Sequence, residues 1–244
     1  MADLTPDPPR SPSLAATDDL LAAATRRLVR TADGLPEADY DSPSLLPGWT
    51  RAHVLAHLAL NAEALAGALG GIVEGDPVPM YASQAARDAD IEELAGAEPA
   101  AVRARLLGAC TDLADAIAAV PDDASSTEIE RVPGGRTFPA AAVPGMRLRE
   151  VEIHHADLGA GYDHRSWPAE FAELLLDSMA SRDVAEAGFT ACATDLDRTW
   201  TYGDASSGPT VSGAAADLGW WLTGRGSGEG LTSDRGELPQ IEEW

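Results

Sequence analysis

The feature of this sequence that most constrains its fold is a change of hydrophobic period around Asp163-His164-Arg165. Before that point, apolar residues recur every three or four positions over long stretches, as amphipathic helices require. After it, the apolar runs are short and rich in β-branched and aromatic residues, as half-buried strands require. A chain of 244 residues can bury two modest cores, since domains of about 100–150 residues are commonest. The expected layout is a disordered tail at 1–13, a four-helix bundle at 14–163 and a small α+β domain at 166–244, which makes the whole chain α+β.

The bundle follows from start and stop signals. Residues 1–13 hold four prolines and little that can pack. Periodicity then predicts a first helix from Leu14 to Leu35, with Leu20, Leu21, Ala24 and Leu28 on one side. A Ser/Pro/Gly loop from Asp41 to Trp49 leads to Thr50, a suitable N-cap for a second helix ending near Val73. A third helical region covers Ser83 to Val120, with a break at Glu98-Pro99. The fourth opens after Pro144-Gly145 and runs to Leu158, where Gly159 and Gly161 stop it. Four helices with irregular connections pack as a bundle, in which metal and cofactor sites are built from facing helices. Beyond the boundary a helix near 168–186 precedes strands at Phe189–Thr194, Thr199–Tyr202 and Thr210-Val211, with a further helix at 213–224.

Charge narrows the partners. With 17 basic against 40 acidic residues the formal charge is −23, which repels phosphate backbones and anionic lipid. No basic patch offsets it, so neither nucleic acid nor a membrane surface is an expected partner. The N-terminus has neither the cationic stretch nor the apolar run of a secretory signal, and the most apolar helix is interrupted by His57, Asn61 and Glu63. A cytoplasmic protein is expected. Cys110 and Cys192 have no paired spacing and read as buried free thiols.

Of five histidines, four lie in two helical segments about a hundred residues apart: His53 and His57, then His154 and His155. Glu150 and His154 are four apart and share a helix face, with Asp157 one turn further on that face. Carboxylate and imidazole at this spacing offer two ligands to a divalent ion, which then needs one more from a facing helix. On the second helix, Val54, Leu58, Asn61, Leu65 and Ala68 mark the inner face, and His57 lies nearer its centre than His53 by about 40°. Two histidines and one carboxylate leave coordination positions open, as catalytic sites do. On spacing alone an equally good reading is a hydrogen-bonded core histidine beside a chance E-x-x-x-H pattern.

The runs Gly48-Trp49-Thr50-Arg51, His53-Val54-Leu55-Ala56-His57-Leu58, Pro79-Met80-Tyr81, Arg149-Glu150-Val151, Ile153-His154 and Asp157-Leu158-Gly159 resemble the mycothiol-dependent maleylpyruvate isomerases. Val211-Ser212-Gly213, Gly224-Arg225-Gly226 and Gly230-Leu231 are similar to that family's second domain, so the resemblance spans nearly the whole chain. The metal motif is shared with other DinB-like proteins, thiol S-transferases among them; the second-domain motifs are more specific. The resemblance implies a DinB-like bundle with metal ligands at His57, Glu150 and His154. It implies a zinc-type ion, and mycothiol, a small thiol of actinobacteria, as cosubstrate. His155 and the proline-rich tail depart from the pattern without touching the three ligands.

The implied reaction is the cis–trans isomerisation of maleylpyruvate to fumarylpyruvate, in which a thiolate adds to the alkene, the single bond rotates and the thiolate leaves. A free thiol titrates at about 8.5, and a divalent metal removes that limit. Substrate carboxylates and the developing enolate need cationic partners. Arg225, between two glycines, is the first choice and Arg87 the second, against the ordinary reading of each as a surface ion pair. Asn61 and Tyr81 are placed in the pocket lining, and Trp49, Trp220 and Trp221 in packing roles. A mycothiol S-transferase acting on another electrophile is the alternative enzyme; a non-catalytic metal-dependent binding module is the alternative outside catalysis. The chain is expected to act as a monomer or small homo-oligomer on a small dicarboxylate.

Overall fold

In the computed structural model, residues 14–180 and 188–241 are described. The expected tail at 1–13 and the end of the helix at 168–186 lie outside them. Contacts divide the chain into a unit of Asp18–Asp163 and a second that groups the described residues before Asp18 with those from His164 onward.

The N-terminal unit is helical. Its long helices are α1 (Leu14–Gly34), α2 (Arg51–Glu74), α4 (Pro99–Ala119) and α5 (Val143–Asp157), with the shorter α3 (Gln84–Ala95) between α2 and α4. The third helical region is thus two helices, because Pro99 lacks the N–H a continuing helix needs and instead opens α4. Helix α2 starts where Thr50 predicts. The Thr50 hydroxyl accepts from the His53 amide at 3.4 Å, while His53 Nδ1 accepts from the Thr50 amide at 3.2 Å. Every residue from Val54 to Ala62 is buried, so α2 has no polar face to spare. It is long and apolar enough to cross a membrane by composition alone, and its place among α3, α4 and α5 accounts for that character.

A hairpin absent from the sequence reading joins α4 to α5. Strands β1 (Glu128–Glu130) and β2 (Thr137–Pro139) pair antiparallel, with Ile129 opposite Phe138 and both turned into a core containing Leu65, Leu69 and Leu113. Backbone amides of Met80 and Tyr81 donate to the carbonyls of Glu130 and Arg131, at 2.9 and 3.1 Å, which fixes the Pro79-Met80-Tyr81 run against the hairpin. The loop before α2 is tied to the end of α5. Leu45 N donates to Asp157 O at 2.7 Å, and Arg51 reaches the carbonyls of Leu158 and Gly159 at 3.0 and 2.9 Å.

The C-terminal unit contains α6 (Ala169–Ala180), β3 (Phe189–Ala193), β4 (Arg198–Tyr202), β5 (Thr210–Gly213), α7 (Ala215–Leu222) and β6 (Thr232–Ser233). The sheet order is β4-β3-β5-β6, with β3 and β5 parallel and the other pairs antiparallel. In β3, Phe189, Ala191 and Ala193 alternate inward as the two-residue period requires. Phe189 stacks on Tyr202, whose hydroxyl donates to Leu176 O at 3.0 Å. Gly213 is a glycine for steric reasons, since a Cβ there would lie 2.4 Å from Leu231 Cδ2. Cys110 and Cys192 are free thiols, half-buried rather than buried.

Candidate metal centre

The seam between α2 and α5 brings His57, Glu150 and His154 together. His57 Nε2 lies 2.9 Å and His154 Nε2 3.4 Å from the same oxygen, Glu150 Oε2. The two imidazole rings meet edge to face with centroids 4.7 Å apart. One ligand atom from each residue fits within 4.8 Å of the others, and both histidines are buried. Two donors each about 2.1 Å from a tetrahedral ion stand about 3.4 Å apart, so the observed spacings bracket what a divalent cation requires. Two neutral imidazoles and one carboxylate are a donor set that suits zinc and leaves positions open.

The surroundings set the proton positions. His154 Nδ1 is 2.8 Å from Oδ2 of the fully buried Asp157. That contact places the Nδ1 proton toward the carboxylate and turns Nε2 to the seam. Burial opposes charge on His154, but Asp157 and then Glu150 outweigh it and raise its pKa. Burial lowers His57 to about 4, with His154 and Arg87 adding to the effect and Glu150 opposing it, so this imidazole is neutral at pH 7. Burial pushes the Glu150 carboxyl up, yet its bonds with His154 and His57 prevail and hold it well below the usual range. Glu150 is therefore an anion facing two imidazoles.

Arg87 Nη2 lies 3.1 Å from His57 Nδ1. A guanidinium only donates, so Nδ1 is the acceptor here and the ring proton sits on Nε2, facing Glu150. A cation held through Nε2 needs the proton on Nδ1 instead. A cation bound at Nε2 would therefore break the Arg87 contact and release Nη2 of that guanidinium. Arg87 also bonds Asp88 Oδ1 at 2.8 Å and lies 5.9 Å from the centre of the Tyr81 ring. Burial raises the Tyr81 pKa, against interactions with Asn61 and Arg87.

Asn61 is one turn beyond His57 on α2, and its Oδ1 accepts from Arg147 Nη1 at 2.8 Å in the bundle interior. Trp49 stands edge-on to His57 at 5.7 Å, a ring contact at the site rather than packing elsewhere. His53 is occupied otherwise: it caps α2 and its Nε2 lies 3.3 Å from the exposed Glu92. His155 points away, stacked on Tyr162 at 3.8 Å with Nε2 2.7 Å from Thr31 Oγ1. The roles of Asp157 and Arg147 were not drawn from sequence. Asp157 had a signal in its place three residues after His154; Arg147 had none. Arg225 belongs to the C-terminal unit, between Gly224 and Gly226, both at positive φ. Its Nη1 donates to Thr223 O at 3.0 Å, and its guanidinium lies 5.8 Å from the Trp220 ring centre.

Comparison with known proteins covers both units. The family model described as the mycothiol maleylpyruvate isomerase N-terminal domain matches residues 21–159, and that of the C-terminal domain of the same proteins matches 166–243. Two solved structures align over 96% of this chain and 98% of theirs, with 30% identity and a TM-score of 0.87. They are a crystal structure of the mycothiol-dependent maleylpyruvate isomerase and one of a histidine-to-alanine mutant of it. No curated protein matches the chain significantly.

Proposed function

Because this chain belongs to the mycothiol-dependent maleylpyruvate isomerase family, we propose that it converts maleylpyruvate to fumarylpyruvate by reversible addition of mycothiol. The observation that carries this reading is the convergence of His57, Glu150 and His154 on one seam, with Asp157 fixing the tautomer of His154. Zinc is the proposed ion, and a cytoplasmic monomer or small homo-oligomer the proposed state. A divalent cation at this site supplies thiolate at neutral pH from a thiol whose free pKa is about 8.5, each unit of lowering being worth about 1.4 kcal/mol.

The residues of the chain do the rest. Asp157 keeps a His154 proton on Nδ1, Glu150 stays ionised and His57 stays neutral, so the three side chains would turn lone pairs to a cation once the His57 proton shifts from Nε2 to Nδ1. Arg87, whose Nη2 a cation at His57 Nε2 would release, is placed to donate to a substrate carboxylate beside Tyr81 and Asn61. Arg225 is the proposed second carboxylate partner. The thiolate sulfur bonds to one alkene carbon while the π pair moves into the conjugated carbonyl as an enolate, which guanidinium groups stabilise. Rotation about the resulting single bond follows. Return of the electron pair expels the same thiolate and leaves the trans alkene.

The thiol is regenerated, so it acts in substoichiometric amounts. Mycothiol at one-twentieth of the maleylpyruvate concentration should drive complete conversion, followed by loss of the cis enol absorbance, with free thiol unchanged at the end. Stoichiometric thiol loss with a stable conjugate in the mass spectrum would replace this assignment with S-transfer to an electrophile.

A further inference from the structure

A groove between α1 and α4, away from the metal seam, encloses about 710 Å³. Its walls include Leu21 and Val29 of α1 and Leu107 and Ile117 of α4, and its floor includes Arg147 of α5. Leu107 is 51% exposed, so the apolar surface is open to solvent. Arg147 is only 1% exposed, and it is among the largest fully buried side chains of the protein. Its Nη1 donates to Asn61 Oδ1, while its Nη2 has Cys110 Sγ at 3.7 Å, and a thiol is a weak acceptor. Both partners are neutral.

The chain has 40 acidic residues for 17 basic ones, and Arg27, Arg51, Arg87, Arg105 and Arg198 all pair with a carboxylate. Among the described residues Arg147 pairs with none, although it is the most deeply buried of these guanidiniums and a buried charge without a counter-charge is strongly unfavourable. The groove rim adds Arg26 and Arg30 against Asp18 and Asp115, which leaves a net positive groove on a strongly negative protein. From Leu21 to Val29 the apolar wall runs for about 12 Å at the helical rise.

We propose that this groove binds an amphipathic organic anion. Its carboxylate accepts from Arg147 in place of the Cys110 contact, and its aliphatic body lies along α1 and α4. The ligand class is a medium-chain carboxylic acid. Neither metal nor thiol takes part, so the proposal stands or falls apart from the isomerase reading.

Calorimetric titration of the full chain with decanoate and with 1-decanol, both below their aggregation limits, tests it. Decanoate should bind once per chain and at least tenfold more tightly than decanol, and Arg147→Gln should abolish that preference. Since loss of Arg147 can disturb the bundle, Ala114→Trp provides a second variant. Ala114 is exposed on the α4 wall, and the indole should fill the groove and weaken decanoate at least tenfold with the helical circular dichroism unchanged. Absence of saturable decanoate binding, equal affinity for the alcohol, or binding undiminished by Ala114→Trp would each overturn the proposal.

Discussion

Replacing Asp157 with alanine should weaken divalent-metal binding although Asp157 is not among the three proposed ligands. Its Oδ2 is 2.8 Å from His154 Nδ1, and it is fully buried, so water cannot take over the acceptor role without opening the end of α5. A hydrogen bond to a charged group is worth about 1.5–3 kcal/mol, and loss of such a carboxylate behind a ligating histidine typically lowers affinity by about 10–100-fold. The two figures agree, because about 1.4 kcal/mol corresponds to tenfold. Asp157→Asn should fall between, at roughly threefold to tenfold, since an amide oxygen still holds the tautomer but carries no charge. Competition for Zn²⁺ against a chromophoric chelator reads these affinities directly. Glu152→Gln is the control, because Glu152 lies on the same helix but bonds to Arg27 and Tyr162. An Asp157→Ala protein that binds zinc within threefold of the parent would refute the view that this carboxylate orients His154.

Further outcomes follow from the same geometry. Arg87→Met should tighten zinc binding by roughly threefold to tenfold, because the cation no longer displaces a charge-assisted hydrogen bond, yet it should depress kcat/KM for the dicarboxylate; unchanged or weaker zinc binding would show that the Arg87 contact does not compete. Arg225→Met should leave zinc stoichiometry intact and lower kcat/KM by at least tenfold, and unaltered turnover would remove it from the site. His155, lowered by burial and secondarily by Arg27 to about 4, binds no proton in the folded chain at pH 5, whereas an unfolded histidine titrates near 6.5. Stability should therefore fall as pH drops from 6.5 toward 4, by about 1.4 kcal/mol per unit and about 3 kcal/mol in all. Urea unfolding of His155→Gln should show a shallower acid slope, and parallel slopes would contradict the burial argument.

Much of this architecture was legible because long periodic segments announce themselves. Thr50 marked the start of α2, and Phe189 to Tyr202 marked two strands. The β1–β2 hairpin escaped because three-residue strands are too short to show alternation, and its pairing depends on Ile129 and Phe138 meeting a core built by α2 and α4. At the site, His57 was separable from His53 by its position on the wheel, and the structure gives His53 a capping role at the helix start. The Arg87 contact with His57 was invisible, as it joins residues thirty positions apart across a loop. Arg147 was unreadable for a related reason. Nothing local distinguishes a buried arginine from an exposed one when its partners, Asn61 and Cys110, come from other helices.

The ties between the loop before α2 and the end of α5 also bear on how long a bound ion stays. Helix ends open before helix centres, and His154 and Asp157 both lie in the last turn of α5. There the carbonyls of Asp157, Leu158 and Gly159 are engaged by Leu45 and Arg51. Fraying of that turn therefore requires the loop to detach at the same moment, and the departure of an ion becomes a cooperative opening rather than the swing of one side chain. Deuterium uptake at the Leu45 amide would then keep time with metal exchange, and an Arg51→Ala chain would lose its metal faster while still holding it in nearly the same coordination.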